Sequence, residues 1–452
     1  MKSVGLLIAL LVVTVGFTQP PDTIWTRTCG GTGSDEGVSV AQTTDGGYVI
    51  TGWTNSYGAG YHDVYLIKTN ASGNVLWTKT YGGNDWDEGH SVAQTTDGGY
   101  IVTGWTWSYG SGEQDVWLIK TDASGDTIWT QTFGGTAVDG GSSVAQTTDG
   151  GYIITGRTES YGVGGMDVWL IKTDTTGEVT WTKTYGSADW DYGSCVAQTT
   201  DGGYVITGRR YGAGFYDVWL IKTDASGDTI WTQTFGGAET EWGSSVVQTT
   251  DGGYIIVGVR DCFGPESGNV WLIKTDATGS ALWTKTFAGA GWSYGNSVAQ
   301  TTDGGYIIAG HTSHYSTHLN DVWLIKTDAS GDTIWTQTYG GDVYEDWGMS
   351  VAQTTDGGYI IAGVTESYGA GGEDVWLIKL EPDVGIEENE LSLASAKAIP
   401  ATILRGPLQL PEGKKCKVFD ITGRVVQPDK IQPGIYFIEI DGVVTQKVVK
   451  VR

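Results

Sequence analysis

The chain has 452 residues, 71 of them Gly and 21 Trp, and a formal net charge of −26. Residues 19–383 carry fifteen Lys or Arg against forty-four Asp or Glu. Such a surface repels phosphate backbones and anionic lipid, so nucleic acid is not an expected partner. No stretch after residue 20 is apolar over the ~20 residues a bilayer span needs.

The chain begins MKSVGLLIALLVVTVGFTQPPD: one Lys, an apolar run over 4–17, then polar residues and two prolines. This pattern predicts a secretory signal peptide over 1–18 with cleavage near Thr18. An uncleaved membrane anchor is the alternative, for which the run is short. Export permits disulfides, yet Cys29, Cys195, Cys262 and Cys416 fall at unrelated places in the repeat described next, with no metal-type spacing. Unpaired thiols are expected.

DGGY recurs at 45, 97, 149, 201, 251, 303 and 356, a period of 50–53 residues. Self-similarity at this period marks a propeller or a solenoid. Each unit holds four strand-like pieces, as in SVAQTTD (91–97), GGYIVTGWT (98–106), DVWLIKTD (115–122) and TIWTQTF (127–133). All are rich in residues that fit a pleated surface, and none has helical periodicity. Asp-Gly in TTDGGY and Gly in DASGD suit compact turns that need positive φ.

The first three strands occur seven times, ending with DVWLIKL (374–380), after which no fourth strand follows. An orphan fourth strand, TIWTRTC (23–29), stands just after the leader. Pairing the two closes a ring and removes both raw sheet edges. The expected fold is therefore all-β, a seven-bladed β-propeller over 19–383 closed by an N-terminal strand. An open solenoid would want capping repeats, and none is present.

Tryptophans recur on the fourth strand (Trp25, Trp77, Trp129, Trp181, Trp231, Trp283, Trp335). They recur again on the third (Trp117, Trp169, Trp219, Trp271, Trp323, Trp376, with Tyr65 in the first unit). We read them as wedges between blades. The third strand also repeats a lysine, from Lys68 to Lys379, expected to pair with Asp45, Asp97 and their equivalents.

TDASGDTIWTQTFGG (121–135) resembles the tryptophan-docking motif of quinoprotein-like propellers, and the whole repeat resembles secreted bacterial repeat propellers. Quinoprotein enzymes typically have eight blades and adjacent cysteines beside the quinone. Here there are seven units and no neighbouring cysteines, so neither cofactor nor dehydrogenase activity carries over. The Asp-to-Gly and Gly-to-Trp spacings are too long for the Asp-box of sialidases. LQLPEG, CKVFDITGRVV (416–426) and PGIYFIEIDGVVTQKVVKVR (433–452) resemble the C-terminal sorting domain of the type IX secretion system. The resemblance implies export across the outer membrane by that machinery, then cleavage or anchoring of the tail. AIPATI stands where such domains often carry Asn-Pro. By its own residues the tail, 404–452, reads as a small β-sandwich after a linker over 384–403.

In a propeller the turns after first and third strands share one face and the remaining loops share the other. The first set barely changes between units; the second varies, which makes it the binding candidate. Loops between blades contribute Trp86, Trp190, Trp242, Trp292 and Trp347, with Asp35, Asp87, Asp139, Asp191, Glu241 and Asp346 nearby. The position ending the second strand reads Trp53, Trp105, Arg157, Arg209, Val259, His311 and Val364. Indoles stack on sugar rings, and carboxylates and guanidinium groups bind hydroxyls directionally. The alternative is that these residues only pack the loops together.

Carboxylate pairs such as Asp85/Asp87 and Asp189/Asp191 would suit glycoside hydrolysis, but a ring of near-equal acids singles out no pair. Calcium is conceivable where they meet Asp63 and Asp115. His311, His314 and His318 share one loop, a solvated loop being the simpler reading than a zinc site. No catalytic residue, metal ligand or cofactor is assigned. The sequence thus points to a secreted or surface-displayed propeller that binds an extracellular ligand, foremost a polysaccharide. A glycan-degrading enzyme and a purely structural surface protein are the alternatives.

Overall fold

The computed structural model describes residues 19–261, 268–289, 291–313 and 319–383, together with 401–404, 408, 410, 415–420, 426–431, 434–440 and 443–450. The signal-peptide segment, Cys262, His314 and His318, and most of the expected linker lie outside the described residues. The chain divides into Met1–Val384 and Gly385–Arg452.

The first unit is a seven-bladed propeller, each blade a four-stranded antiparallel sheet. Blade 1 runs outward through Asp35–Gln42, Tyr48–Thr54, Asp63–Thr69 and Val75–Tyr81. Blade 7 supplies Asp346–Gln353, Tyr359–Thr365 and Asp374–Leu380, and its outer strand is Thr23–Cys29. Trp25 lies opposite Lys379, as Trp77 lies opposite Lys68 and Trp129 opposite Lys120. The closing strand therefore keeps the register of an ordinary outer strand.

Two rings of hydrogen bonds run through the closure as well. The amide of Thr44, just before the hairpin Asp-Gly, donates to Gln94 Oε1 of the next blade at 2.8 Å. The same step recurs round the ring and ends with Thr355 donating to Gln42 at 2.8 Å. Midway along the inner strands, Val92 N donates to Ser39 Oγ at 3.3 Å, and Val40 N closes that ring on Ser350 Oγ at 3.2 Å. Cys195 replaces the serine in blade 4 and donates to the Val246 carbonyl at 3.7 Å, so this thiol is a structural substitution. Among the described residues Cys29, Cys195 and Cys416 are unpaired.

The core lies between blades. Val64 and Leu66 of blade 1 meet Tyr100, Val102 and Trp117 of blade 2, and this pattern repeats. Each outer-strand indole reaches across to a second-strand tyrosine: Trp77 meets Tyr100 edge-on at 5.8 Å, and Trp25 meets Tyr48 at 5.9 Å across the closure. The repeated lysines are buried, each bonded to its hairpin aspartate, 2.9 Å for Lys68–Asp45 and 3.0 Å for Lys379–Asp356. Burial raises the Asp45 carboxyl, but bonds from Thr43, Lys68 and the Gly47 amide outweigh it and hold it down to about 2.

Every inner strand carries a β-bulge, for example between Gly89 and Ser91, which leaves one extra residue unpaired. The bulge presses its neighbours together. A Cβ on Gly104 would overlap the Glu88 carbonyl oxygen of the same blade. Gly104→Ala is expected to cost about 3 kcal/mol, read as a lower denaturation midpoint. An unchanged midpoint would contradict this packing.

In the second unit the described residues form one four-stranded sheet. Ala401–Leu404 runs parallel to Val443–Lys450, followed in order by Gly434–Ile440 and Cys416–Asp420. Its first strand begins within the stretch assigned to the linker. Val418, Ile431, Tyr436 and Ile438 form its small apolar core.

Candidate functional site

The acids expected on the binding face are instead buried loop braces. Asp87 is fully buried; its Oδ2 accepts from Gly83 N at 2.8 Å and Ser108 Oγ at 2.6 Å, and its Oδ1 accepts from Thr106. At six of seven junctions two such acids flank one glycine, as Asp63 and Asp87 do at Gly82, and Asp115 and Asp139 at Gly134. At the seventh, Asn269 replaces the aspartate, and Ala288 stands where the glycine would be. The glycine thus makes room for a carboxylate and is dispensable where that carboxylate is missing. Asp87 is committed to its loop and does not form a free catalytic pair with Asp85. Among the described residues no group of three or more His, Cys, Asp or Glu side chains is arranged to hold a metal ion.

The tryptophans expected together divide into two sets, because they stand on opposite sides of the bracing acid. Trp86, Trp190 and Trp292 immediately precede Asp87, Asp191 and Ser293 and are exposed on the outer loops. Trp242 and Trp347 follow Glu241 and Asp346, and so belong to inner strands. There Trp242 lies opposite Val259 and Trp347 opposite Val364. The second-strand positions share this level: Trp53 lies opposite Glu36, Trp105 opposite Glu88, Arg157 opposite Gly140 and Arg209 opposite Tyr192. Inner strands surround a propeller's axis. The bulge adds one further variable residue per blade, among them His90, Ser142, Ser194, Ser244 and Asn296.

This level has a polarity. On one side, His62 stacks flat on Trp53 at 3.8 Å, so that indole is covered and 8 % exposed. His62 Nδ1 and His90 Nε2 lie 3.1 and 3.3 Å from the carboxylate of Glu88. Burial raises Glu88, but the hydrogen bonds from both imidazoles outweigh it and hold the carboxyl below its usual range. Glu36 is pushed up to about 7, by burial first and then by Glu373 and Glu88. Trp105 stands edge-on to His90 at 6.1 Å.

On the other side, the Arg209 guanidinium lies 4.1 Å from the Tyr192 ring, 5.0 Å from Tyr216 and 5.5 Å from Trp242. The aromatic run continues from Trp242 to Tyr294 at 6.0 Å and on to His311 at 4.9 Å. Burial holds His311 down to about 4, which keeps the ring neutral and suits packing. Tyr216 is delivered by a local departure from the repeat. In blade 4 the second and third strands pair as far as Gly212 and Phe215, around a tight turn with Ala213 and Gly214 at positive φ.

Arg157, Tyr192, Arg209 and Trp242 line a cavity of about 260 Å³, together with the bulge serines Ser142, Ser194 and Ser244. Two larger clefts, about 500 and 540 Å³, lie elsewhere. One is lined by repeated turn residues such as Asp149, Lys172 and Trp181, the other by Thr26, Arg27 and Tyr339 beside the closing strand. The smaller cavity is the candidate, since its side chains are those that change from blade to blade. Sequence reasoning missed Glu36, Glu88, His62, His90, Tyr192, Tyr216 and the three serines. For all but His62 and Tyr216, which stand at the start of third strands, a signal was present: the second and fourth residues of the inner strand, DEGV, DEGH, DGGS, DYGS, are the ones that vary.

No family model matches the chain. The regulatory protein FlaEY of Caulobacter vibrioides is 28% identical over 207 residues, covering 40% of this chain and 21% of that protein. The chain thus spans about a fifth of the length of the curated relative it matches. Among solved structures, the Pan2 WD40 domain of Neurospora crassa is similar at a TM-score of 0.46 and 11% identity, covering 75% of this chain and 88% of that one. A protein of unknown function from Dyadobacter fermentans has a TM-score of 0.46 at 8% identity, covering 80% of this chain and 99% of the other.

Proposed function

We propose that this β-propeller module binds an extracellular polysaccharide at the inner-strand level of its variable face. The observation that carries the reading is the cavity between blades 3 and 5. There, residues that vary from repeat to repeat bring guanidinium groups, hydroxyls and aromatic faces together. Aromatic faces take the apolar side of a pyranose, while Arg and Ser take its oxygens. Trp86, Trp190 and Trp292, exposed on outer loops, would extend contact along a chain.

Export belongs to the same proposal. It rests on the apolar leader over 4–17 and on the tail's likeness to type IX sorting domains. No helix among the described residues is long and apolar enough to cross a membrane. The secreted or outer-surface location is tested by fractionating cells expressing the full chain.

One observation favours a glycan-degrading enzyme as the second reading. Glu36 and Glu88 carry opposite shifts on neighbouring blades, the arrangement that separates an acid from a base. A polysaccharide panel with product analysis separates the readings. Binding without new reducing ends supports the module. Turnover lost in Glu36→Gln supports the enzyme, and no interaction with any polysaccharide overturns both.

A further inference from the structure

Resting on the polysaccharide reading, we propose that the cavity between blades 3 and 5 is an acid-specific subsite. In it, Arg157 and Arg209 bind the carboxylate of a uronic acid residue.

The propeller region has forty-four Asp or Glu against fifteen Lys or Arg, and among the described residues eleven of those fifteen are ion-paired. The repeated lysines are all among these. Among the described residues Arg157 and Arg209 have no such partner, although they line the same cavity. The Nε of each is buried without a hydrogen-bond partner. Arg157 Nη2 reaches only the neutral Gln114 Oε1 at 3.3 Å. Arg209 is held by aromatic faces rather than by a carboxylate. Two neighbouring half-buried guanidinium groups that share no bonded anion are costly: burial first, and Arg209 after it, weaken Arg157's hold on its proton, an effect that Tyr192 and Glu88 only partly offset. An incoming carboxylate relieves both costs through the planar, two-pronged contacts that guanidinium groups make.

The surroundings fit a sugar that bears this anion. Ser142, Ser194 and Ser244 offer neutral partners for ring hydroxyls, and Tyr192 and Trp242, which also hold Arg209, complete the wall. On the other side the Glu88 carboxyl, held below its usual range, repels a second carboxylate. The charge asymmetry would therefore orient the ligand with its acid group toward blades 3 and 4.

The test uses calorimetry on the purified protein. The probes are oligogalacturonate and oligomannuronate, each beside its methyl-esterified form, in which the carboxylate is masked. At least one acid form should bind about tenfold or more tighter than its ester. Arg157→Gln should bring that ratio close to one, with an unchanged melting curve. Arg157→Lys should restore part of it, since charge remains while the fork geometry is lost. Equal binding of acid and ester, or a ratio that survives Arg157→Gln, overturns the acid subsite. A neutral polysaccharide that binds while all four probes fail also overturns it, and leaves the broader glycan reading standing. Failure of every polysaccharide overturns both.

Discussion

Deleting residues 22–31 should lower the melting temperature by more than about 10 °C and make the protein self-associate. The segment supplies the outer strand of blade 7, paired from Thr23–Leu380 to Cys29–Val375. Without it, Asp374–Leu380 becomes a bare edge of fully buried residues, among them Trp376, Leu377 and Ile378. Such an edge is a template for pairing with another chain. The deletion also removes Trp25 from its contact with Tyr48 of blade 1, and one lost indole is worth about 3 kcal/mol. Scanning calorimetry and size-exclusion chromatography read both effects. A monomer that melts like the intact chain would contradict the closure.

The second large effect is a stability maximum on the acid side of neutrality, near pH 4–5. Two populations of carboxylates pull in opposite directions. Several at the blade junctions, and Glu36 at the inner-strand level, are raised: Asp63 to about 6, by burial ahead of Asp87, and Glu241 and Glu36 each to about 7, by burial first. Asp115, Asp167, Asp191, Asp217 and Asp374 are shifted the same way, burial again leading. A carboxyl raised on folding binds its proton more tightly in the folded chain. Its contribution is complete below about pH 4 and is lost as pH rises through 6 to 7. The hairpin aspartates Asp45, Asp97, Asp149, Asp201 and Asp251 are held down to about 2, where bonds from threonine, lysine and glycine outweigh burial. Their contribution is present above about pH 4 and is lost as pH falls toward 2. His311, held down to about 4 by burial, opposes the first group between pH 4 and 6.5, but it is one residue against several. The melting temperature should therefore be about 5 °C higher at pH 5 than at pH 7.5. A flat profile, or one that rises to pH 7.5, would contradict the burial of these acids.

Much of the scaffold was legible because it depends on identity at fixed spacing. The orphan strand at 23–29, the wedge tryptophans and the pairs from Lys68–Asp45 to Lys379–Asp356 each follow from a residue repeated at one strand position. The site was less legible because a bulge breaks the alternation that tells inward from outward. An extra residue between Gly141 and Ser143 gives Ser142 a place on the cavity wall that period-two counting does not foresee. Counting also could not separate Trp190 from Trp242. Both are indoles beside a bracing acid, yet one precedes it onto an exposed loop and the other follows it into an inner strand. Trp53 illustrates a third limit, since only the folded chain brings His62 flat onto its face.

The most direct test is a crystal structure of the protein grown with a saturating acidic oligosaccharide. A sugar ring is expected against Tyr192 and Trp242, with its carboxylate within hydrogen-bonding distance of both Arg157 and Arg209. A sugar seated among the Asp-Gly turns or along the outer strands, with that cavity empty, would contradict it.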